Sequence, residues 1–486
     1  MNTSGSQAVN SSLSNNIENS TKINRFPYAI FLVIFFVDFL QLRLHMLPKI
    51  AILLPEILSV FSLLIVLMYI VRFGVLRVSV KYIILFFFFI LVMISGYILN
   101  SVDVGPIISG LRNYLKYVPF FLLPAVINYT DEQIAKQIKF LLILALIQIP
   151  LVIVQKFVLQ IDMDHVAGTL NIGSILSLFL LGVIALVFGF YLKNKLKLGI
   201  SLFFIVLFFF PTMLNETKSI IIFLPIVIVT SLVVSSRGQV NKGRLFAVFA
   251  LGVVMLVVFI ASYKIFFGDQ FADEEGGENK FLSNPSVAIQ HYLFSDILQN
   301  IDPKKVLNLD KRVVGEISEI SFGEDRVARL DSIFLPMVVL SQDVSKLALG
   351  LGAGNASKSF IPIFSGKYKE FAGLNISMPA LAIFLWEIGI IGALIFLIFF
   401  IFIFNDCIFM SKQPGLISAI AVGWAGVVVM IILSLTYKPF MTFSVLGVLF
   451  WYFSGLLSAR RWIIFHESRE EIFGKNSNFN EHSNSD

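Results

Sequence analysis

Long apolar runs alternate with short polar connections along most of the chain. Residues 82–99, 198–210 and 394–404 contain no charged side chain, so a helix formed from them has no polar face to turn towards water. An apolar run of about 18 residues or more is long enough to cross the hydrocarbon core of a bilayer as a helix. The pattern therefore predicts an all-α polytopic integral membrane protein.

The apolar pattern predicts about twelve transmembrane helices. Their bounds lie near residues 26–42, 50–70, 82–99, 111–129, 138–158, 172–192, 198–214, 219–234, 245–266, 380–404, 416–435 and 440–458. The predicted organisation is a disordered N-terminal segment (1–25), helices one to nine (26–266), one large loop (267–379), helices ten to twelve (380–458) and a C-terminal tail (459–486).

The large loop is polar and begins with a cluster of acidic residues. Within it, Asp325–Leu340 is predicted to be an amphipathic helix with Val327, Leu330 and Phe334 on its apolar face. The glycine-rich run Gly350–Asn355 is predicted to be a flexible turn. Transporters rarely need a loop of this size, whereas enzymes that act on membrane-held substrates often carry one.

Composition supports membrane insertion and narrows the chemistry. The chain is 57% hydrophobic and 14% charged, whereas soluble domains are about 25% charged. The net charge of +6 is small and lies in short connections, so no nucleic-acid partner is predicted. A single cysteine, Cys407, excludes an internal disulfide, and the run Asp162–His165 is poorly spaced for a metal site. No metal or other cofactor is expected.

Lysine and arginine are distributed unevenly between the two sets of connections. One set, together with both ends of the chain, holds sixteen basic residues, and the opposite set holds six. Because basic residues accumulate on the cytoplasmic side of membrane proteins, both termini are predicted to be cytoplasmic and the large loop to face outwards.

Several cations on the predicted outer side oppose this orientation signal and are therefore candidates for function. In and between the helices they are Arg112, Lys116, Lys218 and Lys438, and the large loop adds Arg326 and Arg329. Converging cations at a membrane surface suit a phosphate or diphosphate, which guanidinium grips with paired hydrogen bonds. The alternative is that each cation reaches towards lipid headgroups.

Glu387 is a carboxylate within the predicted tenth helix, followed by Gly389 and Gly392. A buried carboxylate is usually paired with a neighbouring helix, and the two glycines permit close helix contact. Asp38 and Glu56 also lie in apolar stretches and are weaker candidates.

Four short motifs occur in a characteristic order. They are Gly110–Pro119, Gly168–Asn171, Gly350–Asn355 and Leu385–Gly392. Their order, the helix topology and the large loop before the Glu-x-Gly-x-x-Gly helix resemble those of the O-antigen polymerase and ligase superfamily.

The resemblance implies a GT-C-like membrane glycosyltransferase of the bacterial inner membrane that needs neither a nucleotide sugar nor a metal. Its donor would be a glycan on undecaprenyl diphosphate, and a chain-length regulator and a flippase would be possible partners. Arg112 matches the family arginine that holds the diphosphate, and Arg326 or Arg329 matches the loop arginine. Glu387 would be a general base or an orienting group.

Three functions stay open at this stage. Ligases of the family carry a loop histidine shortly before the Glu-x-Gly motif, and Asn375–Pro379 contains none, which favours a polymerase over a ligase. A flippase for lipid-linked oligosaccharides is the alternative of another class. Many carriers show two related halves, and this chain shows no similarity between its halves.

Overall fold

The computed structural model describes residues 23–161, 163–215, 217, 219–236, 329–357, 359, 361–369, 379–437 and 443–482. Within these residues the chain is helical and contains no β-strand. Fourteen α-helices are named here in chain order. They are α1 (Phe26–Asp38), α2 (Leu54–Phe73), α3 (Val80–Leu99), α4 (Val104–Leu115), α5 (Val118–Val126), α6 (Asp131–Ile153), α7 (Gly173–Leu192), α8 (Leu198–Leu214), α9 (Ile220–Ser236), α10 (Arg329–Leu340), α11 (Val344–Leu349), α12 (Ala380–Met410), α13 (Leu416–Ser434) and α14 (Ser444–His482).

Seven helical segments in the described residues are long and apolar enough to cross a membrane. They are Phe26–Arg43, Lys49–Phe73, Val80–Leu99, Asp131–Val158, Gly173–Leu192, Ala380–Met410 and Leu416–Ser434. The protein is therefore a polytopic, membrane-embedded helical protein, as the hydrophobic pattern predicts. Twelve spans stay a prediction, since the ninth predicted span (245–266) lies outside the described residues.

The helices divide into inner and peripheral ones. In α7 and α13, 83% and 78% of the most apolar window is buried, whereas in Lys49–Phe73 only 28% is buried. The two inner helices meet at Gly189 and Gly423, where an added Cβ on Gly189 would lie 2.6 Å from the Gly423 amide nitrogen. The peripheral helices expose large apolar side chains such as Val60, Leu64 and Val71, which suits contact with lipid tails.

The predicted fourth span (111–129) is two short helices rather than one. α4 ends at Leu115 and α5 begins at Val118, with Pro119 in its first turn. A proline disfavours helical geometry in the residue before it and has no amide hydrogen to donate, so a helix commonly starts there. The break leaves the Lys116 carbonyl free of an intrahelical donor, and the Ser59 hydroxyl of α2 donates to it instead.

The predicted tenth span is also interrupted. Within α12, Gly389 has φ 63° and ψ −169°, which divides the helix just after Glu387 and Ile388. The sequence suggested that Gly389 permits close packing between helices. Its backbone does lie against Ala348 of α11, and also against Gly350, and glycine adopts this backbone conformation without strain.

The polar contacts near the helix ends form two groups, one at each end of the helix bundle. At one end, called the basic end, Lys81 and Arg461 meet Asp406, and Arg77 donates to the Val126 carbonyl. At the other, called the loop end, lie Arg43, Glu56, Arg112 and the segment Gly350–Ser357, which is called the glycine loop below. These two groups coincide with the two sides predicted from the basic residues, although which side is cytoplasmic stays a prediction.

Candidate functional site

Arg112 and Lys116 both reach the same carboxylate, that of Glu56 on α2. The Arg112 Nε and Nη2 atoms donate to Glu56 Oε2 and Oε1, each at 2.6 Å. The Lys116 Nζ atom lies 3.8 Å from Oε1. Since residues four apart share one side of a helix, α4 turns both cations towards α2. Glu56, a weak candidate by sequence, is the residue that brings them together.

The Arg112 guanidinium is only partly used by this pair. Guanidinium carries five N–H donors, and Glu56 occupies the edge formed by Nε and Nη2. The edge formed by Nη1 and Nη2 is left without a hydrogen bond to Glu56. The Arg112 side chain is 37% exposed, whereas that of Lys116 is 11% exposed. Arg112 thus keeps donors within reach of a molecule outside the protein.

An apolar cavity of about 180 Å³ lies next to the same segment, on the side of Tyr114 rather than on that of Arg112 and Lys116, neither of which lines it. It lies between α3, the α4–α5 break, α12 and α14, and its walls include Leu115 and Val118, which flank Lys116 in sequence. Phe89, Phe121 and Phe396 line it further along. The cavity wall is almost entirely apolar, so it suits a hydrocarbon chain rather than a sugar.

Glu387 lies in a different environment. Its side chain is buried, and Oε1 accepts a hydrogen bond from the Ser357 hydroxyl at 2.5 Å. The Tyr114 phenol lies beside the same carboxylate without completing a hydrogen bond of good geometry. The carbonyl before Glu387, that of Trp386, accepts the Leu351 amide at 2.8 Å. The break in α12 is therefore filled by the glycine loop.

The glycine loop is a packed element, which corrects the prediction of a flexible turn at Gly350–Asn355. Leu351 and Ala353 are fully buried. The Asn355 side chain donates to the Leu351 carbonyl at 2.8 Å and accepts the Lys367 amide at 3.0 Å. A Cβ added at Gly110 of α4 would lie 2.8 Å from the Gly354 amide nitrogen, so the two backbones touch. Glycine is needed here for close approach rather than for flexibility.

The helices before the glycine loop are held by capping and burial. The Asp343 carboxylate caps α11 by accepting the Ser345 amide at 3.0 Å, and it also accepts the Ser345 hydroxyl at 2.6 Å, which lowers the pKa of Asp343. In α10, Ile333 and Leu335 are buried while Phe334 is exposed. α10 thus packs on α12 by Ile333 and Leu335, while the predicted apolar face stays a prediction because Val327 and the Leu330 side chain lie outside what the structure describes.

The two candidate groups lie on opposite sides of α4. Arg112 and Lys116 turn towards α2, whereas Tyr114, two positions from each, packs on Phe384 and Phe396 of α12. Residues two apart on a helix do not share a face. The structure therefore does not bring Glu387 together with the cations that the sequence grouped with it.

The other predicted site residues lie outside what the structure describes. Lys218, Arg326 and Lys438 fall in the gaps between described ranges. Arg329 is the first residue of α10, but its side chain is not among those described. Their roles in binding a diphosphate stay predictions.

Sequence reasoning missed a buried carboxylate at the basic end. Asp406 of α12 is 1% exposed and accepts hydrogen bonds from Lys81 Nζ at 2.5 Å, Arg461 Nη1 at 2.6 Å and the Tyr82 hydroxyl at 2.7 Å. Lys81 and Arg461 were explained only as orientation signals. A carboxylate near the end of an otherwise apolar run was the available clue.

The motif Gly168–Asn171 is held by two glutamines of the preceding helical segment, which sequence reasoning also missed. Gln155 Oε1 accepts the Ala167 and Gly168 amides at 3.0 and 2.8 Å, and Gln148 Oε1 accepts the Thr169 amide at 2.8 Å. Both glutamines are buried. They satisfy the backbone of a loop that enters the membrane-embedded region, as buried polar groups require.

Comparison with known proteins adds no assignment. No protein-family model matches the chain, and no curated protein has a significantly similar sequence. The family resemblance therefore rests on the four motifs, and the function has to be argued from the geometry of the loop end.

Proposed function

We propose that this protein is a membrane glycosyltransferase that polymerises lipid-linked oligosaccharide repeat units. Its donor would be a glycan on undecaprenyl diphosphate, and its product a longer chain for O-antigen, capsule or exopolysaccharide. The proposal places the reaction at the outer face of the bacterial inner membrane, with both termini in the cytoplasm. Support comes from the motif resemblance, the charge asymmetry and the cation pair at the loop end.

The single observation that carries the proposal is the hydrogen bonding and partial exposure of the Arg112 guanidinium. Its guanidinium is held by Glu56 along one edge, its side chain is 37% exposed, and the Lys116 Nζ atom lies near the same carboxylate. A preorganised, partly exposed guanidinium next to an ammonium group suits a diphosphate, which carries several anionic oxygens. Preorganised cations of this kind stabilise charge that develops on a leaving group.

The reaction would be a single displacement with inversion. A hydroxyl oxygen of the acceptor sugar attacks the anomeric carbon of the donor, forming the glycosidic bond. The bond between that carbon and the diphosphate oxygen breaks, and undecaprenyl diphosphate leaves with the electron pair. The hydroxyl proton is released to the aqueous outer face. Arg112 and Lys116 would stabilise the departing diphosphate, so no ATP, nucleotide sugar or metal is required.

The apolar cavity offers a place for the lipid part of the donor across α4 from the cations. Leu115 and Val118 line it, so the isoprenoid chain of a donor whose diphosphate lies at Arg112 and Lys116 would pass around the α4–α5 break to reach the aromatic walls. A membrane lipid tail would occupy the same space in the absence of donor. The sugar end of the donor would extend away from the membrane towards the loop.

For Glu387, we favour an orienting role over that of a general base. Its carboxylate is buried and bonded to Ser357, and it lies across α4 from Arg112. A base has to reach the attacking hydroxyl by direct contact or through one water. By holding the glycine loop, Glu387 would instead set the position of α4 against α12. Arg326 and Arg329 of the large loop stay candidates for a second diphosphate contact.

The test is complementation of a strain that lacks the protein. The native chain should restore a ladder of glycan lengths and remove lipid-linked single repeat units from the outer leaflet. Arg112→Ala, at normal protein levels, should lose the ladder and let single units build up there. Asp103→Asn, which removes an exposed charge just before α4, is the matched control and should behave as the native chain.

Each alternative function has its own outcome in this assay. If single units accumulate on the cytoplasmic leaflet in the strain lacking the protein, it moves lipid-linked glycan and is a flippase. If chains lengthen normally on the lipid but fail to reach their final acceptor, it is a ligase. A chain-length regulator and a flippase as partners are expected only under the polymerase proposal.

A further inference from the structure

Glu56 stands in an unusual place for a carboxylate. It lies in the first turn of α2, in a segment otherwise rich in leucine and isoleucine, and its side chain is only 21% exposed. Keeping a carboxylate there is costly unless it is paired. Its partners are the two cations of α4, so α2 and α4 are joined at this level by charge-assisted bonds.

The pair fixes the direction of the guanidinium. A single hydrogen bond lets a guanidinium rotate, whereas two parallel bonds at 2.6 Å hold its plane. Because Glu56 takes the edge of Nε and Nη2, the edge of Nη1 and Nη2, which faces another direction in the guanidinium plane, has no bond to Glu56. An anion can then be bound by Arg112 without breaking the pair.

A second contact fixes the backbone under the same cations. The Ser59 hydroxyl, one turn along α2 from Glu56, donates to the Lys116 carbonyl at the α4–α5 break. The Lys116 Nζ also lies 4.8 Å from the centre of the Tyr117 ring. α2 therefore holds both the side chains and the main chain of the segment that carries the cations.

From this geometry we infer that Glu56 is a positioning residue, which aims the free edge of Arg112 at the diphosphate of the donor. The inference rests on the proposed function, since it assumes that Arg112 binds a diphosphate. It differs from two simpler roles. In one, Glu56 only staples α2 to α4. In the other, it competes with the anion for Arg112.

The experiment measures binding of undecaprenyl diphosphate to the full chain in phosphatidylcholine nanodiscs, together with thermal unfolding. Arg112→Ala should weaken binding by about tenfold or more, and Glu56→Gln should weaken it by about tenfold. The double variant should lose much less than the two single losses combined, because most of the effect of Glu56 passes through Arg112 and only its longer contact with Lys116 remains. Asp103→Asn should bind as the native chain. If Glu56→Gln does not yield folded protein, Glu56→Asp replaces it. This variant keeps the charge on a shorter side chain and should weaken binding in the same way.

A charge-exchanged variant distinguishes orientation of the Arg112 guanidinium from a purely structural link between α2 and α4. Glu56→Arg combined with Arg112→Glu can rebuild the bridge between α2 and α4, so thermal stability should recover relative to Glu56→Arg alone. Binding should stay weak, because the guanidinium then projects from α2. Recovery of binding along with stability would mean that only the staple matters and would overturn the inference.

The remaining outcomes separate this inference from the proposed function. If Arg112→Ala binds the probe as tightly as the native chain, both the diphosphate role and the positioning role fall. If Arg112→Ala weakens binding but Glu56→Gln does not, only the positioning role falls. Tighter binding by Glu56→Gln would show that the carboxylate competes with the anion. Equal binding of phosphatidylglycerol to the native chain would mean that the pair recognises ordinary headgroups.

Discussion

The Ser357 hydroxyl donates to the Glu387 carboxylate at 2.5 Å and so joins the glycine loop to the break in α12. The bond connects residues thirty positions apart in the chain. The carboxylate that sequence reasoning offered for catalysis thus contacts a buried loop, and its catalytic role stays a prediction. Its neighbour on α4, Tyr114, faces α12, away from the cations that were expected to share its site.

Replacing Glu387 separates an orienting role from a catalytic one. Glu387→Gln keeps a hydrogen-bond acceptor for Ser357, so we expect glycan polymerisation within about tenfold of native and a small fall in unfolding temperature. Glu387→Ala leaves buried donors without a partner, at a cost of roughly 2–3 kcal/mol, and should reduce both. The measurements are glycan laddering and thermal unfolding in detergent. Loss of activity in Glu387→Gln with an unchanged unfolding temperature would identify a catalytic base instead.

Gly389→Ala should disrupt the loop end. At φ 63° and ψ −169° a Cβ is strained, and the added methyl would also collide with the backbone of Ala348. We expect a loss of roughly 3 kcal/mol or poor expression. Gly199→Ala in α8 is the matched control, because a Cβ there meets nothing within 4 Å. Expression level and unfolding temperature are measured for both variants. Equal values for the two would contradict the positive φ at Gly389.

Asp406→Asn should destabilise the basic end. The substitution leaves the charges of Lys81 and Arg461, whose side chains are 25% and 35% exposed, beside a neutral amide, and because solvent partly screens these charges we expect a cost of roughly 1–3 kcal/mol. Glu132→Gln is the control, because Glu132 pairs with Lys136 at an exposed position and its replacement should leave the unfolding temperature unchanged. A similarly small shift in both variants would show that the Asp406 cluster contributes little.

Ser59→Ala tests the link between α2 and the α4–α5 break. Without the hydroxyl, the Lys116 carbonyl loses its donor, and we expect a cost of about 1 kcal/mol. Ser62→Ala lies one turn further along α2 and removes a bond only within that helix, to the Leu58 carbonyl. Thermal unfolding should therefore separate the two serines, with the larger fall for Ser59. The reverse order would argue against the link.

Cysteine labelling tests the predicted orientation. The native Cys407 is buried and should resist an impermeant maleimide. Met46→Cys, at an exposed position between α1 and α2, should be labelled in intact spheroplasts. Lys195→Cys, exposed between α7 and α8, should be labelled only after lysis. Labelling with the opposite sidedness would invert the topology and move Arg112 to the cytoplasmic face.

The sequence alone determined the class of the protein and the position of most helices. Long uncharged runs have to be helical in a membrane, because a bilayer offers no hydrogen-bond partner to an open backbone. For this reason the predicted bounds 198–214 coincide with α8, and 172–192 differ from α7 by one residue. The four-residue spacing of Arg112 and Lys116 likewise placed both cations on one side of a helix.

Only the tertiary structure decided what each charge meets and where helices break. Glu56 lies 56 positions from Arg112, and Asp406 lies 325 positions from Lys81, so no local pattern connects them. The break at Gly389 depends on the glycine loop, which packs against it from a different part of the chain. Glu387 and Arg112 are separated because they lie on opposite sides of α4. Such pairings arise from the packing of distant helices, in which a buried charge or a free carbonyl takes the partner that the fold brings to it.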